Sequence, residues 1–125
     1  MNSIILTIQV VLALLMLYYA VPKLIFSKKN LKLRGGKEME YVDNVSQTNL
    51  IGIGIIEFLT SLGLIVPELL NKHLWIISLS SLTIIVTMIG AIILHLKRND
   101  EAKSIFINFL YIFMSLIVIL GNQIL

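Results

Sequence analysis

Three ionisable residues interrupt long apolar stretches of this chain: Lys23, Glu57 and His95. Charged groups within apolar spans are rare, and they face protein or water rather than bare lipid. A carboxylate, an ammonium and an imidazole could trade a proton, grip a polar head group or clamp helices together. They are too few for a metal site, and none is expected. No HExxH, GxGxxG, GxSxG or Walker pattern is present. The chain has no cysteine, which excludes thiol chemistry, disulfides and cysteine-held clusters. Nothing here indicates an enzyme acting on its own.

The elements that must position these residues follow from composition. The chain has 125 residues, enough for one domain, 58% of them hydrophobic and only 14% charged. A soluble domain carries about a quarter charged residues. Lipid must therefore act as solvent for most of the outside. A spanning helix needs about 20 mostly apolar residues. Four runs qualify, at about 4–26, 50–66, 74–96 and 105–122, with a loop at 27–49. The expected fold is all-α, a four-helix transmembrane bundle. Pro67 reads as the stop of the second helix, which makes the second and fourth helices short. The apolar runs do not alternate with period two, so a barrel is a poor alternative. The first run lacks a basic leader and a small-x-small cleavage pattern, and is expected to stay in the mature protein.

The loops orient the bundle. Lys28, Lys29, Lys32, Arg34 and Lys37 lie in the first loop, and Lys97, Arg98 and Lys103 in the third. Only Lys72 lies on the opposite side. This positive-inside bias predicts both basic loops in the cytoplasm and both termini outside, in the cell membrane. The net charge of +3 is thus a topology signal, and no nucleic-acid partner is expected. Asn44-Val45-Ser46 would not be glycosylated in a cytoplasmic loop. Trp75 is expected at the outer interface; Tyr18, Tyr19 and Phe106 are expected as aromatic anchors at the inner one. Ser46, Thr48 or Asn49 would cap the second helix.

Direction then fixes depth. Glu57 lies seven residues, about 10 Å, from the inner start of its helix at 1.5 Å per residue. Lys23 and His95 lie near the inner ends of theirs, and Asn108 and Tyr111 occupy the same layer. Gly54, Glu57 and Ser61 fall at i, i+3 and i+7 on one stripe, so Glu57 should point into the bundle. A central carboxylate costs about 3 kcal/mol, whereas each strongly apolar residue returns roughly 0.3–0.6 kcal/mol. The second helix is therefore marginal alone and needs neighbours. A Lys23–Glu57 contact is within side-chain reach. Taken singly, Lys23 and His95 also read as snorkelling or interfacial groups, Asn108 and Tyr111 as packing residues, and Glu57 as a carboxylate that holds helices together.

The sequence resembles the DoxX-like family of small four-helix membrane proteins. The likeness rests on Ala20-Val21-Pro22-Lys23-Leu24, on Gly52-Ile53-Gly54-Ile55-Ile56-Glu57 running to Gly63-Leu64-Ile65-Val66-Pro67, and on Met88-Ile89-Gly90-Ala91-Ile92-Ile93-Leu94-His95-Leu96. Family members often carry a Gly before the helix-one lysine; Val21-Pro22 stands there here. The family is named after a subunit linked to thiosulfate:quinone oxidoreductase, and some relatives look like accessory parts of membrane redox complexes. The resemblance implies a quinone as candidate cofactor and a membrane redox protein as candidate partner, beside the bilayer itself and a second copy of the chain. The leading expectation is a polar pocket on the cytoplasmic side, built on Glu57, Lys23, His95, Asn108 and Tyr111. It would bind a small amphipathic molecule, quinone or lipid, or support a redox complex. The alternatives are a small proton-coupled exporter, although such exporters keep their essential Glu in the first helix, and a non-catalytic assembly factor or chaperone.

Overall fold

Long apolar runs fold as helices in lipid because no water is present to bond the backbone. The computed structural model describes residues 3–26, 29, 33, 46–100 and 102–124. It holds four long helices: α1 (Ser3–Ile25), α2 (Gln47–Leu70), α3 (Trp75–Arg98) and α4 (Ala102–Ile124). No strand occurs among the described residues. At 1.5 Å per residue each helix is about 35 Å long, enough to cross a hydrocarbon core of about 30 Å. The helices run up-down-up-down. α1 packs most closely on α2 and α3 on α4, and the α2–α3 and α1–α4 seams are thinner. The first-loop residues read as a topology signal (Lys28, Lys32, Arg34 and Lys37) and the Asn44-Val45 part of the sequon lie outside the described residues.

α2 and α4 run past the bounds read from the sequence, and α4 starts at Ala102 rather than near 105. α2 starts at Gln47 rather than near 50, because Ser46 caps it: its hydroxyl accepts the Asn49 N–H at 3.1 Å. At the other end Pro67 does not stop the helix. It lies in the last turn, where its missing N–H leaves only the Gly63 carbonyl without its usual bond. The stop is Asn71, in the left-handed conformation at φ 51°, and the Lys72 N–H closes back on the Pro67 carbonyl at 3.2 Å. With 24 residues in α2 and 23 in α4, neither helix is short. α1 likewise runs through Pro22.

Each helix buries one narrow stripe. On α1 it is Gln9, Leu12, Ala13, Met16, Ala20 and Lys23; on α2 it is Leu50, Gly54, Glu57, Ser61 and Leu64. α3 supplies Ile77, Ser81, Ile84, Met88 and His95. α4 supplies Asn108, Tyr111, Ser115 and Val118. These spacings of three and four residues are those of packed helices. The arrangement inverts that of a water-soluble bundle. Among the described residues the outward positions are mostly Ile, Leu, Val and Phe, whereas ten of the buried ones are polar or charged. Such a molecule is stable only where the solvent is itself apolar.

Candidate functional site

The site begins at a close approach of α1 and α2. A Cβ at Gly54 would stand 3.0 Å from the Lys23 Cβ, so only glycine lets the helices meet this closely. One turn further along α2, Glu57 faces the lysine. Lys23 Nζ donates to Glu57 Oε1 at 2.6 Å, and both side chains are more than nine-tenths buried. Thr60 donates to the Glu57 carbonyl at 2.9 Å. The Lys23 ammonium also stands 5.9 Å from the Tyr19 ring centre, within reach of cation–π attraction. Tyr19 and Tyr111 share a hydroxyl–hydroxyl hydrogen bond of 2.8 Å.

A cavity of about 410 Å³ opens over this pair, lined by residues from all four helices. Lys23, Glu57, His95, Asn108 and Tyr111, the five residues singled out from the sequence, all line it. So do Tyr19, Thr87 and Ser104 among polar residues, with Ile53, Ile56, Val86, Met88 and Leu94 as apolar wall. Asn108 is buried, and its amide nitrogen has no hydrogen-bond partner among the described residues. A buried donor in that state costs about 1–3 kcal/mol. It is the group in the wall with most to gain from an acceptor.

His95 takes a different part from the ion pair. Its Nδ1 donates to Asp100 Oδ2 at 2.7 Å, and the Arg98 Nε donates to the same oxygen at 3.1 Å. The backbone builds this contact. Asn99 takes the left-handed conformation at φ 57°, and the Asp100 N–H returns to the His95 carbonyl at 3.0 Å. The turn folds Asp100 over the histidine. The hydrogen bond from His95, with Arg98 beside it, holds the Asp100 carboxyl below its usual range. A depressed carboxyl stabilises the fold above its ordinary value of about 3.8 and loses that contribution as pH falls through the lower folded value. Asp100→Asn should therefore lower the melting midpoint in detergent at neutral pH. The gap to the parent protein should close as the pH is taken below about 3.8.

Two parts of the site were not read from the sequence. Asp100 was missed, and its signal was Asn99, a helix-ending residue just before it. Tyr19, expected only as an aromatic anchor, turns its hydroxyl inward to Tyr111. Tyr18 beside it is 72% exposed, as successive helical positions point about 100° apart. A further polar set lies deeper along the same stripes. Gln9, Ser81 and Ser115 are fully buried. Gln9 Nε2 donates to the Leu64 carbonyl at 2.6 Å, and Ser61 donates to the Ala13 carbonyl at 2.9 Å. These bonds tie α1 to α2 beyond the cavity.

Four apolar-faced helices around a buried ion pair and an interior cavity define a multi-pass membrane protein. Its polar chemistry is on the inside. The chain belongs to the DoxX-like family, which matches residues 7–118. No match is found among curated proteins or among solved structures.

Proposed function

We propose that the protein binds the polar head of a small amphipathic molecule, a carbonyl-bearing one such as a quinone or a lipid, in the cavity beside Lys23 and Glu57. The observation that carries this reading is the composition of one cavity wall. It is mostly apolar and converges on a few polar groups. Ligand pockets are built this way, typically at about 300–1,000 Å³. A turn of the buried, unpartnered Asn108 amide toward the cavity would let it donate to a carbonyl oxygen. The Lys23–Glu57 pair brings charge to the same wall. In the orientation that the basic loops favour, the site faces the cytoplasmic half of the cell membrane. A membrane redox complex is the partner this reading would serve.

The test is binding of a decyl-tailed benzoquinone to purified protein in lipid nanodiscs. Asn108→Leu should weaken binding by about tenfold, the loss of one hydrogen bond of about 1.4 kcal/mol. The same substitution should leave the empty protein as stable or more so, because it removes a buried unpartnered donor. Glu57→Gln should weaken binding as well. Wild-type protein that takes up no quinone, or Asn108→Leu protein with full affinity, would defeat the proposal. A Glu57→Gln protein that loses stability but keeps its affinity would favour an assembly factor, in which the ion pair only orders the helices.

A further inference from the structure

The cavity is not closed on the side of the α2–α3 seam. Its wall there is Ile53 and Ile56 on α2 and Val86, Gly90 and Ala91 on α3. Ile56 is 44% exposed and Val86 63%, so the same residues face both the interior and the surrounding lipid. A Cβ placed on Gly90 would meet nothing within 4 Å. Further along the seam the two helices touch: a Cβ on Gly63 would collide with the Ser80 hydroxyl. Ten residues, about 15 Å, separate Ser80 from Gly90 along α3. The seam is thus in contact at Gly63 and Ser80 and leaves Gly90 uncovered beside the cavity.

We infer that the cavity is filled from within the bilayer, sideways through the α2–α3 gap at Gly90, and that its ligand keeps a hydrocarbon tail lying in that gap. This rests on the binding reading above and specifies its ligand: a molecule dissolved in the membrane rather than in water. The apolar lips suit a tail and would not help a hydrated solute. The tail continues into lipid, so the cavity needs room only for the head and the first carbons.

Gly90→Trp should close the gap. Gly52→Trp is the matched control, because Gly52 also has nothing within 4 Å of a Cβ and does not line the cavity. The probes are the decyl-tailed benzoquinone and the same ring without a tail, measured in nanodiscs. Gly90→Trp should raise the Kd of the tailed probe at least tenfold and change that of the tailless ring less than twofold. Gly52→Trp should change neither. Unchanged affinity for the tailed probe in Gly90→Trp overturns the inference. Equal weakening of both probes also overturns it, since residue 90 would then merely occupy the cavity. Failure of the wild-type protein to bind either probe instead defeats the binding reading beneath it.

A second measurement does not depend on a bulky substitution. The chain has no cysteine, so Gly90→Cys can carry a single nitroxide label. The tailed probe should restrict that label's motion and the tailless ring should not; a Gly52→Cys label should be indifferent to both. A Gly90 label that is indifferent to the tailed probe in binding-competent protein counts against the gap as the tail's path.

Discussion

Lys23→Met should be among the most destabilising single substitutions in this protein, by about 3–5 kcal/mol, the typical cost of removing one partner of a buried ion pair. The reason is what remains. Glu57 would be left more than nine-tenths buried with its Lys23 partner gone. The expected readout is a large fall in the melting midpoint in mild detergent. Glu57→Gln should fall less, because an amide can still accept from the ammonium. The double change Lys23→Met with Glu57→Leu should recover most of the loss. Replacing a buried pair by apolar residues of similar volume is often neutral or better. Additive losses in the double variant would mean that the two residues are not coupled. The double variant also separates structure from function. It should fold well and bind the head group more weakly, because the charged pair beside the ligand is gone.

Gly54→Leu should rank next, through geometry instead of charge. Its first side-chain carbon would stand 3.0 Å from the Lys23 Cβ and 3.2 Å from two Leu24 side-chain carbons. The rest of the leucine has no room, so α1 and α2 must part. Overpacking of this kind costs about 1–3 kcal/mol. The shift falls on the residue that carries the ammonium, so the ion pair should lengthen as well. Gly52→Leu on the same helix provides the comparison. It meets nothing within 4 Å. It should be neutral or stabilising by up to about 1 kcal/mol, the helix-propensity gain over glycine. Equal melting midpoints for the two variants would contradict the close approach at Gly54.

The helices were legible because hydropathy over some twenty residues averages out local detail. Their ends were less so, because ends depend on single residues, although Ser46 was among the caps expected for α2. Pro67 read as the stop, yet a proline in a last turn removes a single bond, whereas Asn71 adopts the left-handed conformation that closes the helix. The inward stripe of α2 was readable from Gly54, Glu57 and Ser61, since small and polar residues at helical spacing have nowhere else to go in lipid. Pairing Lys23 with Glu57 needed only the direction of each helix and a depth count. Asp100 was hidden because its position comes from a backbone reversal after α3, which hydropathy does not register. The inward bond of Tyr19 was not read because a depth count does not record which way a side chain points. The uncovered part of the α2–α3 seam leaves only a faint trace in the sequence: Gly90 is one more small residue in an apolar run.

The ion pair also bears on how the chain is made. Lys23 and Glu57 lie on consecutive helices, 34 residues apart. Each alone would carry an unneutralised charge into the membrane, at a cost of several kcal/mol. Together they enter as a neutral unit. The first hairpin therefore has reason to leave the insertion machinery as a pair, with α1 waiting at the exit until α2 has been synthesised. A ribosome stalled before Glu57 should leave α1 crosslinkable to the translocation channel, and one stalled after α2 should leave it in lipid. The residue contact that shapes the cavity would then also set the order in which the protein enters the membrane.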